Sequence, residues 1–155
     1  MRWISRGQLE NKVMYLLDTN ILGELAKKRP NPYLLSHLSS KPYQSLFTSS
    51  VCVTEFRLGC ALRGDFESFW AKISKNIISR VNVIPFGHKE ALIAGDILAS
   101  LQKIGQSVGI EDAIIGSTAL SHKLVMVTAN IRHFSKIKGL AIENWLISSL
   151  KTSQI

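Results

Sequence analysis

Four polar residues of this chain stand where an apolar run stops or a helix begins. Asp18 ends the run VMYLL at residues 13–17, and a helical pattern starts directly after it. Glu55 falls in the first turns of the helix after a second short strand, in SSVCVTEFRLG. Asp112 opens a later helix, and Asn130 follows a fourth strand by two residues in VTANIRHF. Carboxylates brought together repel and raise one another's pKa unless a cation neutralises them. An all-oxygen set without Cys or His suits Mg²⁺ or Mn²⁺. Such an ion activates water and stabilises charge on a phosphoryl oxygen, so the chemistry that fits is phosphodiester hydrolysis. Each residue also has a plainer use. Asp18 and Asp112 can cap their helices, Glu55 can answer a helix dipole, and Asn130 can shape a turn. A shared oddity favours a cluster. Gly59 follows Glu55 by four, and Gly116 follows Asp112 by four. Those spacings put each acid and glycine on one helical face, which predicts close approach of backbone or helices around the carboxylates.

The elements that must position these residues alternate. Strands are predicted at Val13–Leu17, Ser45–Thr48, Val81–Ile84, Leu124–Thr128 and Leu140–Ile142. Helices are predicted at Ile21–Lys28, Tyr33–Ser39, Val51–Leu62, Phe66–Ser79, Lys89–Ile104 and Asp112–His122, with a C-terminal helix after the last strand. Strands alternating with helices imply a parallel sheet covered on both faces, and strand one is apolar at nearly every position, as a doubly covered strand should be. In such sheets ligands bind beyond the carboxyl ends of the strands, where Asp18 lies.

The length of 155 residues fits one domain. Residues 1–13 read as a non-core extension, 14–150 as a single domain and 151–155 as a tail; Met14 is an alternative start. No apolar run reaches the ~18 residues of a membrane span, and MRWISRGQLENK lacks the apolar core of a secretory signal. A cytoplasmic setting follows, with Cys52 and Cys60 as reduced core residues rather than a bridge. The formal charge is +8, from 19 Lys+Arg against 11 Asp+Glu, a field that favours nucleic acid. No phosphate-binding loop, dinucleotide-binding glycine turn or nucleophile elbow is present.

Taken in order, MYLLDTNILGEL, SSVCVTEFRLGCAL, GQSVGIEDAIIGSTAL and LVMVTANIRHF resemble the four blocks of a PIN domain, most closely the VapC-like toxin ribonucleases of the FitB-like branch. The resemblance spans about residues 14–145. It implies an α/β three-layer sandwich with a five-stranded parallel sheet. It also implies Mg²⁺- or Mn²⁺-dependent endoribonuclease activity, a homodimer, and a small VapB-like antitoxin partner. By position it assigns metal binding to Asp18, Glu55 and Asp112, with Asn130 as the fourth site residue. Two departures stand out: His133 replaces a frequent Asp, and Gly116 stands where relatives often have Ala.

Thr19, Asn20, Thr54 and Thr128 flank the acids and are candidates to orient them. Arg132 and His133 are candidates for phosphate contact, and Asp96 is a weaker acidic candidate. Leu34, Leu35, Leu38, Leu58, Leu62, Phe66 and Phe69 form a candidate apolar groove for an antitoxin helix. Two competing functions remain at this point. One is a degenerate PIN module that binds RNA or a protein without cleavage, with His133 as its main support. The other is a haloacid-dehalogenase-type phosphatase, which wants a second Asp where Asn20 stands.

Overall fold

A computed structural model describes residues 12–148. Most of the expected N-terminal extension, and the whole 151–155 tail, lie outside the described residues. Val13 is exposed and precedes the first strand rather than joining it.

Five short parallel strands form one sheet: β1 (Tyr15–Leu17), β2 (Leu46–Ser49), β3 (Asn82–Ile84), β4 (Val125–Val127) and β5 (Ile142–Glu143). Their order is β3-β2-β1-β4-β5, so β1 is central. The chain builds outward from β1 to β3 on one side, then returns to lay β4 and β5 on the other. The order therefore reverses between β1 and β4, the place where sheets of this type hold ligands. Register is tight there, with Leu16 opposite Met126 and Leu17 opposite Val127. All four of these side chains are fully buried.

The helices, numbered in chain order, are α1 (Thr19–Leu25), α2 (Pro32–Ser39), α3 (Ser50–Ala61), α4 (Phe66–Asn76), α5 (His88–Lys103), α6 (Ile110–Ser121) and α7 (Ile131–Phe134). The expected alternation is present, with shifts at the element ends. α1 starts at Thr19 because Asp18 caps it directly. α4 stops at Asn76, and a 3₁₀ turn at Ile78–Arg80 replaces its last expected turn. α6 starts at Ile110, capped by Gly109, so Asp112 stands within the first turn instead of opening the helix. α7 is a single turn too short to carry a periodic signal. After β5, residues 144–148 form turns, not the start of the expected helix; the rest of that helix falls outside the described residues.

Cys52 and Cys60 are buried free thiols on α3, two small core residues without a bridge. α6, which carries Asp112, is pinned to α5 by Glu90. Glu90 is buried and accepts from Gly87 N at 3.1 Å, while its Oε1 lies 2.8 Å from His122 Nε2. Its own backbone N–H and His122 hold its carboxyl below the ordinary 4.5, against the cost of burial. A depressed carboxylate stabilises the fold above its ordinary pKa, and that stability is lost as pH falls through the lowered value. Glu90→Gln is therefore expected to lower Tm by a few degrees at neutral pH, about 1 kcal/mol. Thermal melts from about pH 7 down to about pH 3 should show the gap to wild type closing.

Candidate active site

The reversal point assembles a polar array from four separate segments. Asp18 N donates to Val127 O at 3.0 Å, which carries the β1–β4 ladder one residue past β1 and sets Asp18 beside Thr128. Asp18 Oδ1 accepts from Thr19 N at 2.8 Å, so the residue does cap its helix. Its Oδ2 accepts from Thr128 Oγ1 at 2.8 Å and from Asn20 Nδ2 at 3.2 Å. Thr128 Oγ1 in turn accepts from Asn130 N at 2.9 Å, and Asn20 Oδ1 accepts from Ala129 N at 3.2 Å. Asn20 and Thr128 thus staple the ends of β1 and β4 together around one carboxylate. From the other side, Thr48 Oγ1 donates to Leu17 O at 2.8 Å and ties β2 to the same edge.

Capping and clustering, which the sequence left as alternatives for Asp18, are both realised. Asp18 is 5% exposed, and its carboxyl is raised from the ordinary value. Burial is the main cause and Asp112 adds like-charge repulsion, while the hydrogen bonds from Thr128 and Thr19 oppose both. Glu55, half-buried on α3, is raised as well, first by burial and then by Asp18, Glu111 and Asp112. The Thr19 hydroxyl lies near enough to Glu55 to favour its charged form, yet short of hydrogen-bond geometry. Thr19 Oγ1 is consequently a buried polar atom without a hydrogen-bond partner among the described residues. On the opposite side of the array, Asp112 Oδ2 lies 3.1 Å from His133 Nδ1, and His133 Nδ1 lies 2.9 Å from the Asn130 side-chain amide.

The expected residues that join this array are Asp18, Glu55, Asp112, Asn130, Thr19, Asn20, Thr128 and His133. Thr54 does not, because its hydroxyl is turned back to Ser50 O at 3.0 Å on its own helix. Asp96 is exposed on α5 and makes no contact with these groups, and Arg132 is exposed on α7. Two contributors escaped the sequence reading. Cys52 points its thiol at Asp18 Oδ1 from 3.9 Å, and its pKa is pushed up to about 11 by burial and by Asp18. It precedes Glu55 by three residues, so the shared helical face was the signal. Glu111, next to Asp112 in the first turn of α6, adds charge that Glu55 feels.

The two glycines part company. A Cβ on Gly116 would stand 2.6 Å from Ile137 Cδ1, so α6 is seated closely against the segment that follows α7. Gly59 has open space around it and lines a cleft instead. The close approach expected around the carboxylates is therefore an apolar contact at Gly116 and an open wall at Gly59. The cleft, about 1620 Å³, reaches Thr19 and Glu55 at one end. Leu35, Leu38 and Phe69 supply apolar wall, and Lys27, Lys28, Arg63, Lys72 and Arg80 supply positive charge. Of the other groove candidates, Leu34 is fully buried, Leu58 and Leu62 are exposed without lining the cleft, and Phe66 lies under the Arg57 guanidinium.

Among the described residues, no three of His, Cys, Asp and Glu close on one point as a ready-made metal cluster. The donor set nonetheless suits a hard cation that keeps most of its waters and takes one or two carboxylates. The burial and neighbouring like charge that raise Asp18 and Glu55, and the Thr19 hydroxyl left without a partner among the described residues, are features that a bound cation with its water shell would relieve.

Residues 15–140 match the PIN domain family. The chain is 31% identical over 132 residues to the ribonuclease VapC2 of Haemophilus influenzae, covering 85% of this chain and 98% of that one. It is 28% identical to the toxin FitB of Neisseria gonorrhoeae, covering 85% of this chain and 99% of that one. The fold superposes on a DNA-bound VapBC structure from Salmonella typhimurium with a TM-score of 0.79 and 30% identity, covering 86% of this chain and 99% of that one. A parallel sheet reversing between β1 and β4, with acids gathered at that edge and a sequence match over most of its length, places this chain in the PIN domain family, in its VapC branch.

Proposed function

We propose that this chain is a Mg²⁺- or Mn²⁺-dependent endoribonuclease, the toxin half of a toxin–antitoxin pair, hydrolysing RNA phosphodiesters. The observation that carries this reading is the gathering of Asp18, Glu55 and Asp112 at one sheet edge beside a cleft rimmed by Lys and Arg. Asp18, Glu55 and Asp112 would hold the cation; Asn20 and Cys52, the longer contacts to Asp18, are the ones that binding would displace. When bound, such an ion activates water and neutralises charge on a phosphoryl oxygen.

The chain's own residues divide the remaining work. Thr19 N and Thr128 hold the Asp18 carboxylate in one orientation, so little reorganisation is left for the reaction. Asn130 is neutral and cannot act as a base; it orients a water or a neighbouring carboxylate. Lys27, Lys28, Arg63, Lys72 and Arg80 draw the phosphate backbone along the cleft toward Glu55. The apolar wall at Leu35, Leu38 and Phe69 suits a small VapB-like antitoxin, which would block the same approach. The named relatives are a ribonuclease, a toxin and a VapBC complex, in keeping with this reading. A homodimer is part of the proposal, and light scattering on the purified chain measures it. Among the described residues, no helix is long and apolar enough to cross a membrane.

The test is cleavage of total RNA by the antitoxin-free chain with Mg²⁺, with Mn²⁺ and with EDTA. Discrete fragments are expected only with metal. Glu55→Gln should lower the rate by about 10²-fold or more while leaving Tm within a few degrees of wild type. Metal-independent RNA binding with no turnover would instead establish the non-catalytic module.

A further inference from the structure

His133 Nδ1 faces two groups at once, Asp112 Oδ2 at 3.1 Å and the Asn130 amide nitrogen at 2.9 Å. One ring nitrogen cannot donate to a carboxylate and accept from an amide together. Turning the Asn130 amide end for end places Oδ1 against the ring and removes the conflict. The ring nitrogen then has an oxygen of Asp112 and an oxygen of Asn130 each within reach.

The spacing fits more than a proton. In an octahedral site with bonds of about 2.1 Å, adjacent donors stand about 3.0 Å apart. The two separations here, 3.1 Å and 2.9 Å, are those of neighbouring corners of such an octahedron. The three donors come from α6, from the N-cap of α7 and from α7 itself, and the His133 side chain is 51% exposed, so waters can complete the shell.

We propose that His133, with Asp112 and Asn130, forms a mixed nitrogen–oxygen position for a divalent cation, and that its imidazole tilts the site toward Mn²⁺ and other first-row ions over Mg²⁺. This rests on the metal-dependent reading above. The reason is ligand softness: Mg²⁺ takes hard oxygen donors and accepts imidazole poorly, whereas first-row divalent ions accept it readily.

The test uses Mn²⁺ as the probe on the full chain, by electron paramagnetic resonance. Loss of the free aqueous Mn²⁺ signal reports binding, and pulsed measurements report ¹⁴N coupled to the bound ion. Wild type should bind Mn²⁺ with a ¹⁴N coupling. His133→Asp should bind without that coupling, with the Mn²⁺ over Mg²⁺ affinity ratio reduced about tenfold in a competition titration. Mn²⁺ binding that Asp18→Asn weakens but that shows no ¹⁴N coupling would overturn the His133 proposal and leave the metal-dependent reading standing. A coupling that persists in His133→Asp would also overturn it, since the nitrogen would come from elsewhere. No Mn²⁺ binding at all would overturn both.

Discussion

Asp18→Asn is expected to cut RNA cleavage by about 10³-fold or more while making the metal-free protein more stable. The two effects share one cause. Asp18 is 5% exposed and its carboxyl is raised by burial, with Asp112 adding repulsion. An acid raised in the fold contributes stability that is fully present below its ordinary pKa of 3.8 and is lost as pH rises through the raised value. At neutral pH the wild-type chain therefore carries a charge that the fold disfavours and that a cation would offset. Asn keeps Oδ1 to accept from Thr19 N, and Asn caps helices as well as Asp does. Its amide can face Thr128, whose hydroxyl rotates to accept, at the loss of the longer 3.2 Å contact from Asn20 Nδ2, which then turns to water. Without metal, Tm should rise by about 2–4 °C, roughly 1 kcal/mol for a domain of this size. The gap to wild type should widen as pH rises above the ordinary value of 3.8 and narrow when Mn²⁺ is added to wild type. Paired melts and cleavage assays read both effects. A variant that loses activity because it unfolds, with a lower Tm, would assign Asp18 a structural role instead.

Trp145→Ala is expected to cost about 3–5 kcal/mol, a large share of the stability of an ordinary domain. Trp145 is 1% exposed although it sits in a turn-forming segment after β5. Its ring stands edge-on to Tyr15 in β1, with centroids 4.8 Å apart, and stacks on His37 of α2 at 4.9 Å. Its indole N–H donates to Glu143 Oε2 at 2.6 Å. Removing the ring opens a large void under β1 and leaves the Glu143 carboxylate short of a donor. Since β1 carries Asp18 at its end, partial unfolding there would also loosen the acid array. A fall in Tm of about 10 °C or more is expected, with Trp145→Phe recovering most of it. Leu62→Ala, at a side chain 80% exposed, is the control and should stay within about 0.5 kcal/mol. A Trp145→Ala melt close to wild type would show that the C-terminal segment does not brace the sheet.

The alternation of strand and helix, the parallel sheet and the acids that meet at its edge were legible because each leaves a local pattern. Tyr15–Leu17 lie in a nearly unbroken apolar run and are buried, as a strand covered on both faces needs. Asp18, Glu55 and Asp112 were legible because they interrupt such patterns at element ends. Element ends were less so. The start of α6 moved to Ile110 because Gly109 serves as cap without a side chain to announce it. The single turn of α7 offers too few residues for a period. The C-terminal residues read as a helix because apolar residues recur there, yet Trp145 and Leu146 lie in turns packed against the core.

By itself the sequence determined which residues could be acids, caps and strands, because propensity, hydrophobic period and charge act over a few neighbours. Tertiary structure alone decided the strand order β3-β2-β1-β4-β5, and with it that Asp18 meets Thr128 across 110 residues of chain. It also decided that Gly116 packs tightly while Gly59 faces an open cleft, although both follow an acid by four. The fold likewise set His133 against Asp112 and turned Thr54 away. Each of these outcomes rests on which surfaces of distant segments are buried together, and such long-range contacts leave no periodic trace in a single chain.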